Sequence, residues 1–139
     1  MAGRVVARLL LVDDEPDILE TVQTLIEVEL PEVAVAVAAT GEAALAKLQQ
    51  GRFDVMVTDY RMPGMDGATL AKEAAKRWPE MGLLMITAYV DTKTLQEIRE
   101  RAPDLEVLPK PLQIEEFVAR VAGKLAAKVP GWRGKPVAG

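Results

Sequence analysis

In four places the chain puts a ligating or reactive side chain directly after an apolar run. Leu9-Leu10-Leu11-Val12 runs into Asp13-Asp14-Glu15, Val55-Met56-Val57-Thr58 into Asp59, Leu83-Leu84-Met85-Ile86 into Thr87, and Val107-Leu108-Pro109 into Lys110. Short apolar runs that stop abruptly read as buried strands, and in an open α/β sheet ligands bind outside the carboxyl ends of the strands. If these strands are neighbours, three carboxylates, a hydroxyl and an ammonium share one mouth. Two unit charges ~4 Å apart repel by roughly 4 kcal/mol at an effective dielectric near 20, so three acids together call for cations. Lys110 supplies one charge. Mg²⁺ would supply the rest, because it prefers oxygen ligands and tolerates one or two protein carboxylates with phosphate completing its octahedron. A carboxylate beside Mg²⁺, a lysine and a short hydroxyl is equipped to accept a phosphoryl group. In that arrangement Asp59 is the nucleophile, Asp13 and Asp14 flank the metal, Lys110 pairs with phosphoryl charge and Thr87 hydrogen-bonds a product oxygen.

Other chemistries are closed by composition. The 139 residues include no histidine and no cysteine. Ser-His-Asp hydrolysis, imidazole general-base catalysis, phosphohistidine on this chain, thiolate chemistry and cysteine-based zinc sites are therefore excluded. The net charge is −4 and the pI about 5.0, with acids and bases mixed, so no basic stripe recommends direct contact with nucleic acid or an anionic membrane. The run at Leu9 to Val12 is too short and too quickly followed by acids for a signal peptide or a membrane span, which points to the cytoplasm.

The elements that must position these groups can be read in order. Residues 5–12, 33–38, 54–58, 82–87 and 106–108 have the apolar runs or β-branched alternation of strands. Between them, helical spacing follows Pro16 and carries Ile18, Val22, Leu25, Ile26 and Leu30. Thr40 caps an alanine-rich helix bearing Leu45 and Leu48, and residues 67–77 carry Leu70, Ala71 and Ala74. A weaker helix over 91–101 carries Leu95 and Ile98, and a last one over 114–128 carries Ile114, Phe117, Val118, Val121 and Leu125. Alternating strands and helices predict a doubly wound five-stranded parallel sheet, flavodoxin-like with strand order 2-1-3-4-5, in a three-layer α/β/α sandwich. One domain is expected over residues 5–128, with 129–139 as a flexible tail and Trp132 exposed within it.

These residues together resemble the receiver domains of two-component response regulators. The resemblance rests on Leu11-Val12-Asp13-Asp14-Glu15, on Asp59-Tyr60-Arg61-Met62-Pro63-Gly64-Met65-Asp66-Gly67, on Ile86-Thr87-Ala88 and on Lys110-Pro111, and covers about residues 5–128. It implies Asp59 as phosphoacceptor, Asp13, Asp14, Asp59 and the backbone carbonyl of Arg61 as the Mg²⁺ ligands, Thr87 as the switch hydroxyl and Lys110 as the phosphate partner. It also implies a cis Lys110-Pro111 bond. The donor would be a histidine kinase or a phosphotransfer protein. Output would pass through the surface of the fourth helix, fifth strand and fifth helix, to an output domain, a downstream protein or a second copy in a homodimer. The chain departs from the family in one place: where an aromatic ring is usual three residues before the lysine, it has Val107, and Tyr89, two residues past Thr87, is the candidate for a ring near the same surface.

Each residue alone has a plainer reading. Asp13-Asp14-Glu15 could be a helix cap, Asp59 an Asx-turn residue, Thr87 a satisfied hydroxyl and Lys110 a solvated loop lysine, while Met62 and Met65 read as packing. Their coincidence at four strand ends favours a site. The rival is a Mg²⁺-dependent aspartyl phosphohydrolase. Such enzymes place a second acid two residues after the nucleophile, where this chain has Arg61, and no cap insertion is visible; the expectation is a phosphoacceptor switch and not an enzyme. A flavin-binding module at the same crevice is disfavoured by three acids that would repel its phosphate.

Overall fold

The computed structural model describes residues 5–88 and 91–132. Ten elements alternate along the chain: β1 (Ala7–Val12), α1 (Pro16–Glu29), β2 (Val33–Ala38), α2 (Gly41–Gln50), β3 (Val55–Asp59), α3 (Gly67–Arg77), β4 (Gly82–Thr87), α4 (Thr92–Arg101), β5 (Glu106–Pro109) and α5 (Ile114–Lys128). The five strands form one parallel sheet in the order β2-β1-β3-β4-β5. This is the flavodoxin-like doubly wound arrangement expected from the pattern.

Strand alternation divides the core between two faces. Leu9, Leu11, Val55, Val57, Leu84 and Ile86 pack with Val22 and Ile26 of α1 and Phe117, Val121 and Leu125 of α5. Their neighbours Leu10, Val12 and Met56 point the other way, against Ala44 and Leu48 of α2 and Leu70 and Ala74 of α3. A smaller cluster joins Met85 to Ala68 and Ala71 of α3, Ile98 of α4, Ala102 just beyond it, and Tyr60. Helices α1 and α5 therefore cover one face of the sheet and α2, α3 and α4 the other. Leu9 through Val12 are all buried because β1 is sandwiched on both faces, which explains their unbroken apolar run.

Helix starts follow local chemistry. Thr40 accepts the Ala43 N–H at 3.0 Å, Asp66 the Thr69 N–H at 2.8 Å and Asp91 the Thr94 N–H at 2.9 Å, each satisfying a donor that the first turn leaves open. The apolar stripe of α5 begins later than its spacing suggests: Ile114 is 57% exposed and the buried face starts at Phe117.

The largest departure is at Trp132. Expected in a loose tail, it is 4% exposed and belongs to the core cluster on the α1 and α5 face. Its indole N–H donates to the Glu32 carbonyl at 3.0 Å. Glu32 holds a left-handed φ of 61°, and the same carbonyl accepts the Ala7 N–H at 2.9 Å. A buried indole needs one acceptor, and a tight turn 100 residues away supplies it. Nothing in the periodicity of the tail announces such a partner. Tyr89, considered above as a substitute ring, lies outside the described residues.

Candidate functional site

Asp59 is the last residue of β3 and Thr87 the last of β4, while Asp13 and Lys110 each follow the last residue of β1 and β5. Parallel register brings these ends to one edge of the sheet. Asp13 is 3% and Asp59 7% exposed, and Thr87 is fully buried. Lys110 Nζ stands 3.5 Å from Asp13 Oδ2 and 3.4 Å from Asp59 Oδ1, so one ammonium bridges two buried carboxylates. Its position is set by its backbone: the Lys110 N–H donates to the Thr87 carbonyl at 2.9 Å, and the Lys110-Pro111 bond is cis.

The carboxylates are oriented by backbone donors. Asp13 Oδ1 accepts the Glu15 N–H at 2.9 Å and Asp59 Oδ1 the Tyr60 N–H at 2.9 Å. Asp13 Oδ2 is buried and has the ion pair with Lys110 but no hydrogen bond. A buried carboxylate oxygen left without a hydrogen bond is costly, and a cation with oxygen preference would satisfy it. One oxygen from each of Asp13, Asp14 and Asp59 lies within 4.8 Å of the others, so this all-oxygen donor set fits a hard divalent ion. Asp13 does not cap α1: the helix begins at Pro16, and its N-cap residue is Glu15, with no side-chain cap hydrogen bond.

Burial pushes the Asp59 carboxyl above its ordinary value of 3.8, and the neighbouring Asp13 adds to the rise; Lys110 and the Tyr60 N–H pull against it. A folded-state pKa above the unfolded one means that ionised Asp59 weakens the metal-free fold, and that the penalty is relieved as pH falls through the raised value toward 3.8. Asp59→Asn should therefore raise the melting temperature of the metal-free protein at neutral pH by about 3 °C. Melting curves in chelator should show this gain shrinking as the pH is lowered through that window, because the parent then protonates the same group. A gain that grew on acidification would reverse the sign of this interaction.

The β3–α3 turn is held by close packing. The Gly67 N–H donates to the Tyr60 carbonyl at 2.7 Å, and a Cβ at position 67 would fall 1.9 Å from the Asp59 carbonyl oxygen. Gly64 supplies the left-handed φ of 78° within the turn. Arg61 directs its guanidinium over the Tyr60 ring at 5.5 Å. Met62 is buried beside the α2 and α3 core, which agrees with its reading as packing.

Sequence reasoning missed one group around this turn. Arg101, the last residue of α4, donates through Nη1 to both Asp66 oxygens at 3.1 and 2.9 Å and through Nη2 to the Tyr60 hydroxyl at 3.1 Å. Asp66 caps α3 from its place before Gly67, and no spacing rule links it to a residue 35 positions on. A hollow of about 510 Å³ lies at the opposite end of the sheet, beside Arg52, Phe53 and Trp78. Its one buried acid, Asp54, is already bound to the Arg8 N–H at 2.8 Å and faces Arg52 at 3.7 Å, so the reactive groups gather at the acidic mouth instead.

Comparison with known proteins agrees with this fold. The family model of the response regulator receiver domain matches residues 9–122. A response regulator receiver protein of Anaeromyxobacter sp. (strain Fw109-5) is 38% identical over 111 residues, 80% of this chain and 45% of that protein. The DNA-binding transcriptional regulator NtrC of Salmonella typhimurium is 37% identical over 81 residues, 58% of this chain and 17% of that protein. Among solved structures, the response regulator TrrA of Thermotoga maritima in complex with Mg²⁺-BeF superposes with a TM-score of 0.76 at 29% identity, covering 86% of this chain and all of that one. The chain belongs to the receiver-domain family of two-component response regulators. It spans less than half the length of the first two of these relatives.

Proposed function

We propose that the chain is a phosphoryl-accepting switch loaded on Asp59 by a partner histidine kinase or phosphotransfer protein. The observation that carries this reading is the pair of buried carboxylates, Asp13 and Asp59, bridged by Lys110 at the strand ends while Asp13 Oδ2 lacks a hydrogen bond. In the transfer, an Asp59 oxygen forms the new O–P bond as the donor's P–N bond to histidine breaks. The electron pair leaves with the imidazole, which takes a proton from solvent. Asp13, Asp14, Asp59 and the Arg61 carbonyl would hold Mg²⁺, which when bound neutralises charge on the phosphoryl oxygens. Lys110, already 3.4 Å from Asp59, exchanges a carboxylate partner for a phosphoryl oxygen, and Thr87 at the end of β4 donates its hydroxyl to another. With no histidine on the chain, the donor is external. The phosphohydrolase alternative gains nothing here, since Arg61 stands where that chemistry needs a second acid.

Loading adds about −1.5 to −2 charge at pH 7. Drawing in Thr87 and Lys110 acts on β4 and β5, hence on α4, β5 and α5, which we take as the output surface toward an output domain, a downstream protein or a second copy. On that surface Glu106 of β5 pairs with Arg120 and, at 3.1 Å, with Lys124 of α5. No helix among the described residues is long and apolar enough to cross a membrane, which is compatible with work in the cytoplasm. Beryllofluoride with Mg²⁺, followed by amide chemical shifts, should perturb residues 88–118 as well as the surroundings of Asp59. Shifts confined to the surroundings of Asp59 would remove the output surface from this account.

A further inference from the structure

Arg101 grips both ends of the turn that follows Asp59. At the near end is Tyr60, which is 4% exposed, whose N–H donates to Asp59 Oδ1 at 2.9 Å and whose hydroxyl accepts from Arg101 Nη2 at 3.1 Å. At the far end is Asp66, which caps α3 and accepts from Arg101 Nη1 at 2.9 Å; the same Nη1 lies 3.2 Å from Thr69 Oγ1. Between them run Arg61, whose carbonyl is the expected metal ligand, and Gly64 with its left-handed φ. Hydrogen bonds from Arg101 and Thr69 hold the Asp66 carboxyl below its ordinary value against the opposing effect of burial, so this is a charged and committed pair. A planar guanidinium can reach a carboxylate and a phenol at once, which a point-like ammonium cannot.

We propose that Arg101 is a positioning residue for Asp59: from α4 it fastens Tyr60 and Asp66, and so holds the β3–α3 turn in the geometry that binds Mg²⁺ and accepts the phosphoryl group. This deepens the phosphoacceptor reading and rests on it. The connection runs in both directions. A helix that helps to shape the site is displaced at a cost when the site changes shape, so α4 and Asp59 are coupled reciprocally. The bond path is short: Asp59 to the Tyr60 backbone, through the Tyr60 ring to its hydroxyl, to Arg101.

The test uses the full chain in four forms: parent, Tyr60→Phe, Arg101→Met and the double variant. Tyr60→Phe keeps the ring in its packing and removes only the acceptor, and Arg101→Met keeps an apolar stem against the neighbouring side chains. Mg²⁺ affinity is read from amide shifts, fold stability from melting, and loading from intact mass after a small phosphodonor. Arg101→Met should weaken Mg²⁺ binding by about 10-fold, the low end of the loss seen when the partner of a metal-binding group is removed. Tyr60→Phe should weaken it in the same direction, the double variant no more than Arg101→Met alone, and all four should still load Asp59 at saturating Mg²⁺. An Mg²⁺ affinity unchanged in both single variants, with only melting affected, would make the network purely structural and overturn the proposal. So would losses that multiply in the double variant. A parent chain that never loads would overturn the phosphoacceptor reading itself, and the positioning role with it.

Discussion

Gly67→Ala should cost more than about 4 kcal/mol, in the class reserved for severe disruptions, and leave a domain of ordinary stability partly unfolded. The reason is space alone. A methyl at this position would lie 1.9 Å from the Asp59 carbonyl oxygen, 2.9 Å from the carbonyl carbon and 3.0 Å from the Tyr60 Cα. All three are backbone atoms, so no rotamer change makes room. The chain can yield only by moving the first turn of α3 away from the end of β3. That movement breaks the 2.7 Å bond from the Gly67 N–H to the Tyr60 carbonyl and lifts Ala68, Leu70, Ala71 and Ala74, each 0% exposed, out of two core clusters. In urea the midpoint should fall by about 2 M, given slopes of 1–3 kcal/mol/M for small domains. Gly123→Ala is the matched control. That residue lies within α5 with nothing within 4 Å of an added Cβ, so alanine there should stabilise by about 0.5–1 kcal/mol. Equal effects at the two glycines would mean that close approach at Asp59 is not what Gly67 provides.

The same glycine marks the limit of what could be read in advance. That β3 ends at Asp59 and that Gly67 opens α3 followed from local pattern, because strand alternation and capping are short-range effects. Right-handed crossovers pointed to a doubly wound sheet, and the order was the flavodoxin-like one natural to five strands, as observed. The convergence of Asp13, Asp59, Thr87 and Lys110 followed from that order, since parallel strands present their carboxyl ends on one side. What local pattern could not carry was any pairing across long separations that leaves no periodic trace. Trp132 finding the Glu32 carbonyl and Arg101 spanning Tyr60 and Asp66 are both of this kind. In each case a single side chain reaches a group fixed by a distant turn. Ile114 failed for a different reason: it continues the helical stripe, but it sits at the first turn of α5, beyond the edge of the sheet's cover.

Lys110→Ala should destabilise the metal-free protein by about 3 kcal/mol, the low end for removing one member of a buried ion pair, since the lysine side chain is 22% exposed. The loss arises because the Asp13 and Asp59 carboxylates, with side chains 4% and 10% exposed, are left facing each other without a cation. Removing one of those charges should then repair much of the damage: Lys110→Ala with Asp13→Asn should melt higher than Lys110→Ala alone. Independent losses that simply add would mean that the three groups do not form one electrostatic unit. Burial already holds the Asp59 carboxyl above its ordinary value while Lys110 pulls it down, so loss of the lysine should move it further up.

The central claim is that this chain takes a phosphoryl group on Asp59. Intact mass spectrometry after incubation with a small phosphodonor and Mg²⁺ tests it most directly, comparing the parent with Asp59→Ala. The account predicts one added phosphoryl group on the parent, dependent on Mg²⁺, and none on the variant. No adduct on the parent, or an adduct that persists when Asp59 is replaced, would contradict it.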